Sequence, residues 1–182
     1  MDPILAAERL PKLAARAMRS AIVAAASAPL RGEFARTVTH RSLVNDALIR
    51  FERGVQRMAS NGIRPALLFA ERDRIVRELK AFCDSRLAAR LFALRKRDVV
   101  AVGPAAAPFD AIVRGRRGGA YGVVFRRLAS DGRRLDAMRT IQRAAQRARI
   151  GSPLRGVLVY DFRAGNVRTL RLAGRSVELS AA

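Results

Sequence analysis

The chain has 182 residues, of which 36 are Lys or Arg and 15 are Asp or Glu, giving a formal net charge of +21. Half the residues are hydrophobic, which excludes wholesale disorder, and no apolar run approaches the ~18 residues of a membrane span. A single cysteine, Cys83, excludes an internal disulfide and a Cys-based zinc site. A soluble, cytoplasmic protein without a membrane partner is expected, with a surface that attracts polyanions and releases their counterions.

Lysine occurs only at Lys12, Lys80 and Lys96, so 33 of the 36 cations are arginines. The planar guanidinium suits bidentate phosphate contacts better than an ammonium does. A GC-rich genome accounts for much of the Arg-to-Lys ratio. It accounts less well for the net charge, because acidic codons are open to such genomes too.

In chain order, Pro3 suits a first helical turn. Ile4, Leu5, Leu10, Leu13, Ala17, Ile22 and Val23 then give an Ala-rich amphipathic pattern up to Ser27. Pro11 is expected to kink or divide that helix. Ala28 to Gly32 reads as a loop. A second helix is predicted from about Ser42 to Met58, capped by Thr39 or Ser42 and stopped by Ser60-Asn61-Gly62. A third, long helix is predicted from about Ala66 to Arg95, with Arg95-Lys96-Arg97 complementing its terminal carbonyls.

From Asp98 the period changes to that of strands. Val99–Val102 is a short β-branched run ended by Gly103-Pro104. Phe109–Arg114 and Tyr121–Leu128 read as a hairpin turning through Arg116-Arg117-Gly118-Gly119. After Ser130-Asp131-Gly132 a helix is predicted to about Ile150, with Gly151 as its stop. Gly156–Phe162 and Val167–Leu172 are two further strands around the turn Ala164-Gly165-Asn166. The fold class is therefore α/β, a mixed sheet in helix-β-β-β-helix-β-β order. Residues 1–65 form an N-terminal helical extension and residues 66–182 the α/β core. Residues 1–98 hold 20 basic and 10 acidic side chains, and residues 99–182 hold 16 and 5, so the positive field belongs to the whole molecule.

This element order, with Asp110 in the second strand and Val-Val-Phe-Arg-Arg at 123–127 in the third, resembles the PD-(D/E)XK nuclease superfamily. The resemblance covers roughly Glu71 to Leu172. It implies a core of helix, three-stranded meander, helix and strand. It also implies an active site with an Asp at the start of the second strand, an acid and a Lys two residues apart in the third, and often a Glu from the first helix. Two carboxylates on adjacent strands would hold Mg²⁺, which stabilises the phosphodiester's developing charge and activates water. Asp110 matches the first acid, Glu78 the accessory Glu, and Arg126 stands for the Lys. The third-strand acid then falls on Val124, or on Phe125 if Arg127 is the Lys equivalent. Neither binds a cation, and arginine does not give up a proton. The resemblance thus implies a nuclease-like protein with vestigial or weak catalytic residues Asp110, Glu78 and Arg126. It implies no resident metal or cofactor, and Mg²⁺ only if the protein is active. The competing reading of Asp110 is a turn-capping acid paired with a nearby arginine.

The arginines of the β half make a collective case. Arg114, Arg116 and Arg117 sit at the hairpin, and Arg126 and Arg127 end the third strand. Arg133 and Arg134 open the next helix, and Arg139, Arg143 and Arg147 recur every fourth residue along it. They read either as a solvated face or as a groove that follows a phosphate backbone, with DNA favoured over RNA. No stacking platform is evident, because Tyr121, Tyr160 and Phe162 lie in strand patterns. His40 is the only histidine, so no histidine cluster exists, and it is read as a solvated loop residue. No Gly-rich dinucleotide or P-loop motif occurs. Two alternatives stand beside nucleic-acid binding. One is an active Mg²⁺-dependent nuclease with a displaced acid, Glu78 or Asp136. The other is an interaction protein binding an acidic partner.

Overall fold

A computed structural model describes residues 3–31, 38–58, 63–115, 119–128, 132–147, 154–172 and 179–181. The helices are α1 (Pro3–Ser27), α2 (His40–Arg57), α3 (Pro65–Cys83), α4 (Arg86–Phe92) and α5 (Gly132–Arg147). The strands are β1 (Val99–Val102), β2 (Ala111–Arg114), β3 (Ala120–Arg126), β4 (Leu154–Asp161), β5 (Asn166–Arg171) and β6 (Leu179–Ala181). They form one mixed α/β sheet in sequential order, β1-β2-β3-β4-β5-β6. All neighbours are antiparallel except β3 and β4, which are parallel because the connection between them is the helical crossover α5.

Strand alternation sends side chains to opposite faces and builds two cores. Val123, Phe125, Tyr160 and Phe162 pack with α1 to α4. Val124, Val157 and Val159 pack with Met138, Ile141 and Ala145 of α5. The helical extension is not separately packed: Leu10, Ala14, Met18 and Ile22 of α1 lie in the same core as Tyr160. Ring contacts tie α3 to the sheet, with Phe82 edge-on to Phe125 at 5.7 Å and to Tyr160 at 5.0 Å.

Several boundaries depart from expectation. α1 runs unbroken through Pro11. Proline there removes one intrahelical bond, a loss of about 3 kcal/mol in an isolated helix, but burial of Leu10, Ala14 and Ala17 on either side holds the turn. The long third helix is two: Ser85 accepts from the Ala88 N–H at 3.2 Å and starts α4 afresh. Arg95-Lys96-Arg97 therefore caps no helix, since α4 ends at Phe92 and Lys96–Asp98 forms a 3₁₀ turn. Ala28–Arg31 is likewise a 3₁₀ turn rather than a loop. Thr39 and Ser42 cap α2 together, each side chain accepting from the other's backbone N–H at 3.1 Å, and His40 lies in the first helical turn. β6 has no counterpart in the sequence reading.

The hairpin closes through Gly115 N–H to Gly119 O at 3.0 Å, and Gly119 takes the left-handed conformation (φ +81°) that its lack of a Cβ permits. The stop at Ser60-Asn61-Gly62, the lead-in at Ser130-Asp131 and the stop at Gly151 lie outside the described residues. No helix among the described residues is long and apolar enough to cross a membrane.

Candidate functional site

Parallel strands carry their carboxyl ends to the same edge of a sheet, where side chains and loops from both converge. Here β3 ends at Arg126, opposite Asp161 of β4, and the chain leaves through Arg127-Leu128 and Phe162-Arg163. Asp161 locks this edge: one carboxylate oxygen accepts from the N–H of Leu128 at 3.2 Å and of Arg163 at 3.0 Å. The Phe162 N–H adds a bond to Arg126 O at 2.9 Å.

α1 crosses this edge and presents Lys12, Arg16 and Arg19, spaced four and three residues apart and so on one helical face. Between helix and strand ends lies a cleft of about 530 Å³. Lys12, Arg16, Arg19, Arg126, Arg127 and Arg163 line it with four uncharged residues, and among the described residues its lining holds no carboxylate. Six cations around one concavity with low-dielectric walls focus a positive potential on whatever enters.

The two candidate acids stand behind this wall, each held by arginine. Asp110 is 1% exposed and fully engaged. One of its carboxylate oxygens accepts from Arg19 Nε, and the other accepts from the Phe125 N–H at 2.7 Å and lies 3.6 Å from Arg126 Nη1. Its own N–H and C=O join Val123 and Gly103 at 2.9 and 2.8 Å. Glu78 accepts from Arg127 Nε at 3.1 Å. Burial raises the Glu78 pKa above the usual carboxylate value, against the charge and hydrogen bond of Arg127. Burial also lowers the Arg126 pKa, opposed by Asp110 and assisted by Arg19, though a guanidinium stays charged.

A Mg²⁺ site of the kind the PD-(D/E)XK resemblance implies does not fit these residues. Both oxygens of Asp110 already accept from donors, and the third-strand positions Val124 and Phe125 are buried among apolar groups, 1% and 2% exposed. Among the described residues no three His, Cys, Asp or Glu side chains gather as a ligand set. Asp136 lies on the exposed side of α5, 3.8 Å from Arg139, and does not line the cleft.

The predicted arginines divide. Arg126 and Arg127 meet in the cleft. Arg114 sits exposed at the opposite end of β2, paired with Ala120, and six residues of strand place it about 20 Å from the cleft. Arg139, Arg143 and Arg147 are exposed on α5, which packs on the other face of the sheet from α1. Arg133 and Arg134 fall in the first turn of α5, but their side chains lie outside what is described, as do Arg116 and Arg117 altogether. Arg114 and the α5 stripe of Arg139, Arg143 and Arg147 therefore do not line the cleft that Arg126 and Arg127 occupy.

Lys12, Arg16, Arg19 and Arg163 escaped the sequence reading. In α1 the only signal is a row of cations at helical spacing opposite the apolar face, a pattern shared with any solvated helix. Arg163 had no local signal, because what brings it in is the parallel pairing of β3 with β4. Asp161 read only as part of a hydrophobic strand. No family model matches this chain, and comparison with curated proteins and with solved structures finds no match.

Proposed function

We propose that this protein binds nucleic acid, DNA in preference to RNA, through backbone phosphates held in the cationic cleft between α1 and the ends of β3 and β4. The observation that carries the reading is the composition of that cleft: six cationic side chains and, among the described residues, no acid in the lining. Phosphate contacts of this kind position a polyanion without reading its sequence. The helix-meander-helix-strand order with an Asp at the head of β2 supports a PD-(D/E)XK-like core. On this reading Asp110 and Glu78 no longer serve hydrolysis and instead orient Arg19, Arg126 and Arg127 toward the phosphate chain. The protein then acts in the cytoplasm as a binding protein without nuclease activity.

The test is a salt titration of duplex binding. Affinity should fall steeply with salt, log K against log salt sloping by about −0.9 for each phosphate neutralised. Replacing Arg16, Arg126 and Arg127 with Ala should flatten that slope by about two to three, one step per lost contact. Replacing Arg139, Arg143 and Arg147 should leave it unchanged. A flat salt response in the wild type refutes phosphate binding, and loss confined to the α5 variant moves the site to that helix. Mg²⁺-dependent plasmid nicking abolished by Asp110→Ala would restore the active-nuclease alternative. Association that persists with an acidic protein after nuclease treatment, without affinity for nucleic acid, would favour an acidic partner.

A further inference from the structure

On the α5 face of the sheet a second cavity, about 350 Å³, opens between α5, β3 and the Pro108-Phe109 segment. Its walls are almost wholly apolar, from Phe109 and Val124 on one side to Ile141 and Ala144 on the other. Among the described residues its one charged lining residue is Arg126, which also lines the cationic cleft. The sharing follows from position. Alternation sends Val124 and Arg126 toward α5, but Arg126 is the last residue of β3, and its guanidinium reaches over the sheet edge to within 3.6 Å of Asp110. An occupant of this cavity thus presents apolar surface to its walls and is joined to an anion at Arg126. Thr140 adds a hydroxyl that donates to Asp136 O at 2.8 Å, leaving its lone pairs free to accept from an occupant's N–H.

We propose that this cavity receives a single unpaired nucleobase of a strand whose phosphate rests on Arg126 in the adjoining cleft. The inference builds on the phosphate-binding reading and adds a substrate class, because a base stacked and paired within a duplex has no way into a lateral pocket. The volume falls in the range of small-ligand sites, about 300–1,000 Å³, and the pairing of apolar walls with a few polar groups is typical of them.

The test compares, by fluorescence anisotropy, a single strand of about 12 nucleotides with its fully abasic counterpart and with the matching duplex. The intact strand should bind about tenfold more tightly than the abasic one, the effect of accommodating one base. Ala144→Leu, which fills the cavity, should reduce the intact strand to abasic affinity without changing the salt slope. Ala137→Leu, at a second lining position, should do the same. With wild-type protein, a nucleoside monophosphate should displace the labelled strand at concentrations where deoxyribose 5-phosphate, of equal charge, does not. Equal affinity for intact and abasic strands, with a steep salt slope, would overturn the base pocket and leave the phosphate cleft standing. No salt-dependent binding to any of the three probes would overturn both.

Discussion

Asp110 offers a sharp test of whether the buried acid is an anchor or a remnant of chemistry. Asp110→Ala strands the Phe125 N–H, which now donates to the carboxylate at 2.7 Å in a buried setting, and an orphaned buried donor costs about 1–3 kcal/mol. Arg19 and Arg126 lose their counter-charge as well. Their side chains are 42% and 36% exposed, so water replaces much of what is lost, and the ~3–5 kcal/mol of a fully buried broken pair is not reached. A net destabilisation of about 2–3 kcal/mol follows, a fall in Tm of about 4–12 °C for a chain of this size. Asp110→Asn keeps an oxygen for the Phe125 N–H and should lose less than half as much. It also removes one negative charge from behind the cleft, so nucleic-acid affinity at low salt should hold or rise. Differential scanning fluorimetry on both variants, followed by anisotropy at low salt, measures each part. Wild-type melting of Asp110→Ala, or equal losses for the Ala and Asn variants, would refute the anchor argument.

Glu78 makes stability depend on pH. Its folded pKa lies above the ordinary 4.5, so the native state binds more protons than the unfolded state within the window between the two values. Stability from this site is therefore fully present below about pH 4.5 and declines as pH rises through the folded value. Tm of wild type relative to Glu78→Gln should fall over that window, and parallel curves would contradict the shift. The Tyr160 hydroxyl is buried and meets no hydrogen-bond partner among the described residues. Tyr160→Phe should thus raise stability, by up to about 1 kcal/mol, in urea unfolding. Gly122 has the Phe109 ring against it, 2.6 Å from where a Cβ would sit. Gly122→Ala should cost about 1–3 kcal/mol by overpacking and disturb the cavity that Phe109 lines, read as a lower urea midpoint.

Much of the fold was legible in the residues because secondary structure follows local periodicity. The change from helical to alternating period at Asp98 and the β-branched run at Val99–Val102 needed no tertiary information. Asp110 at the head of β2 was likewise legible. The break at Asp84-Ser85 was not, since a capping serine inside a continuous apolar pattern gives a weak signal. The site was legible only in part. Arg126 and Arg127 stood out as paired cations after an apolar strand, but their companions come from α1, and Arg19 reaches Asp110 across 91 residues of sequence. Charge and the order of the helices and first five strands along the chain follow from its composition and periodicity. Which cations share a cleft was decided by α1 packing on one sheet face and α5 on the other, because a charge carries no record in sequence of which distant charge it will meet.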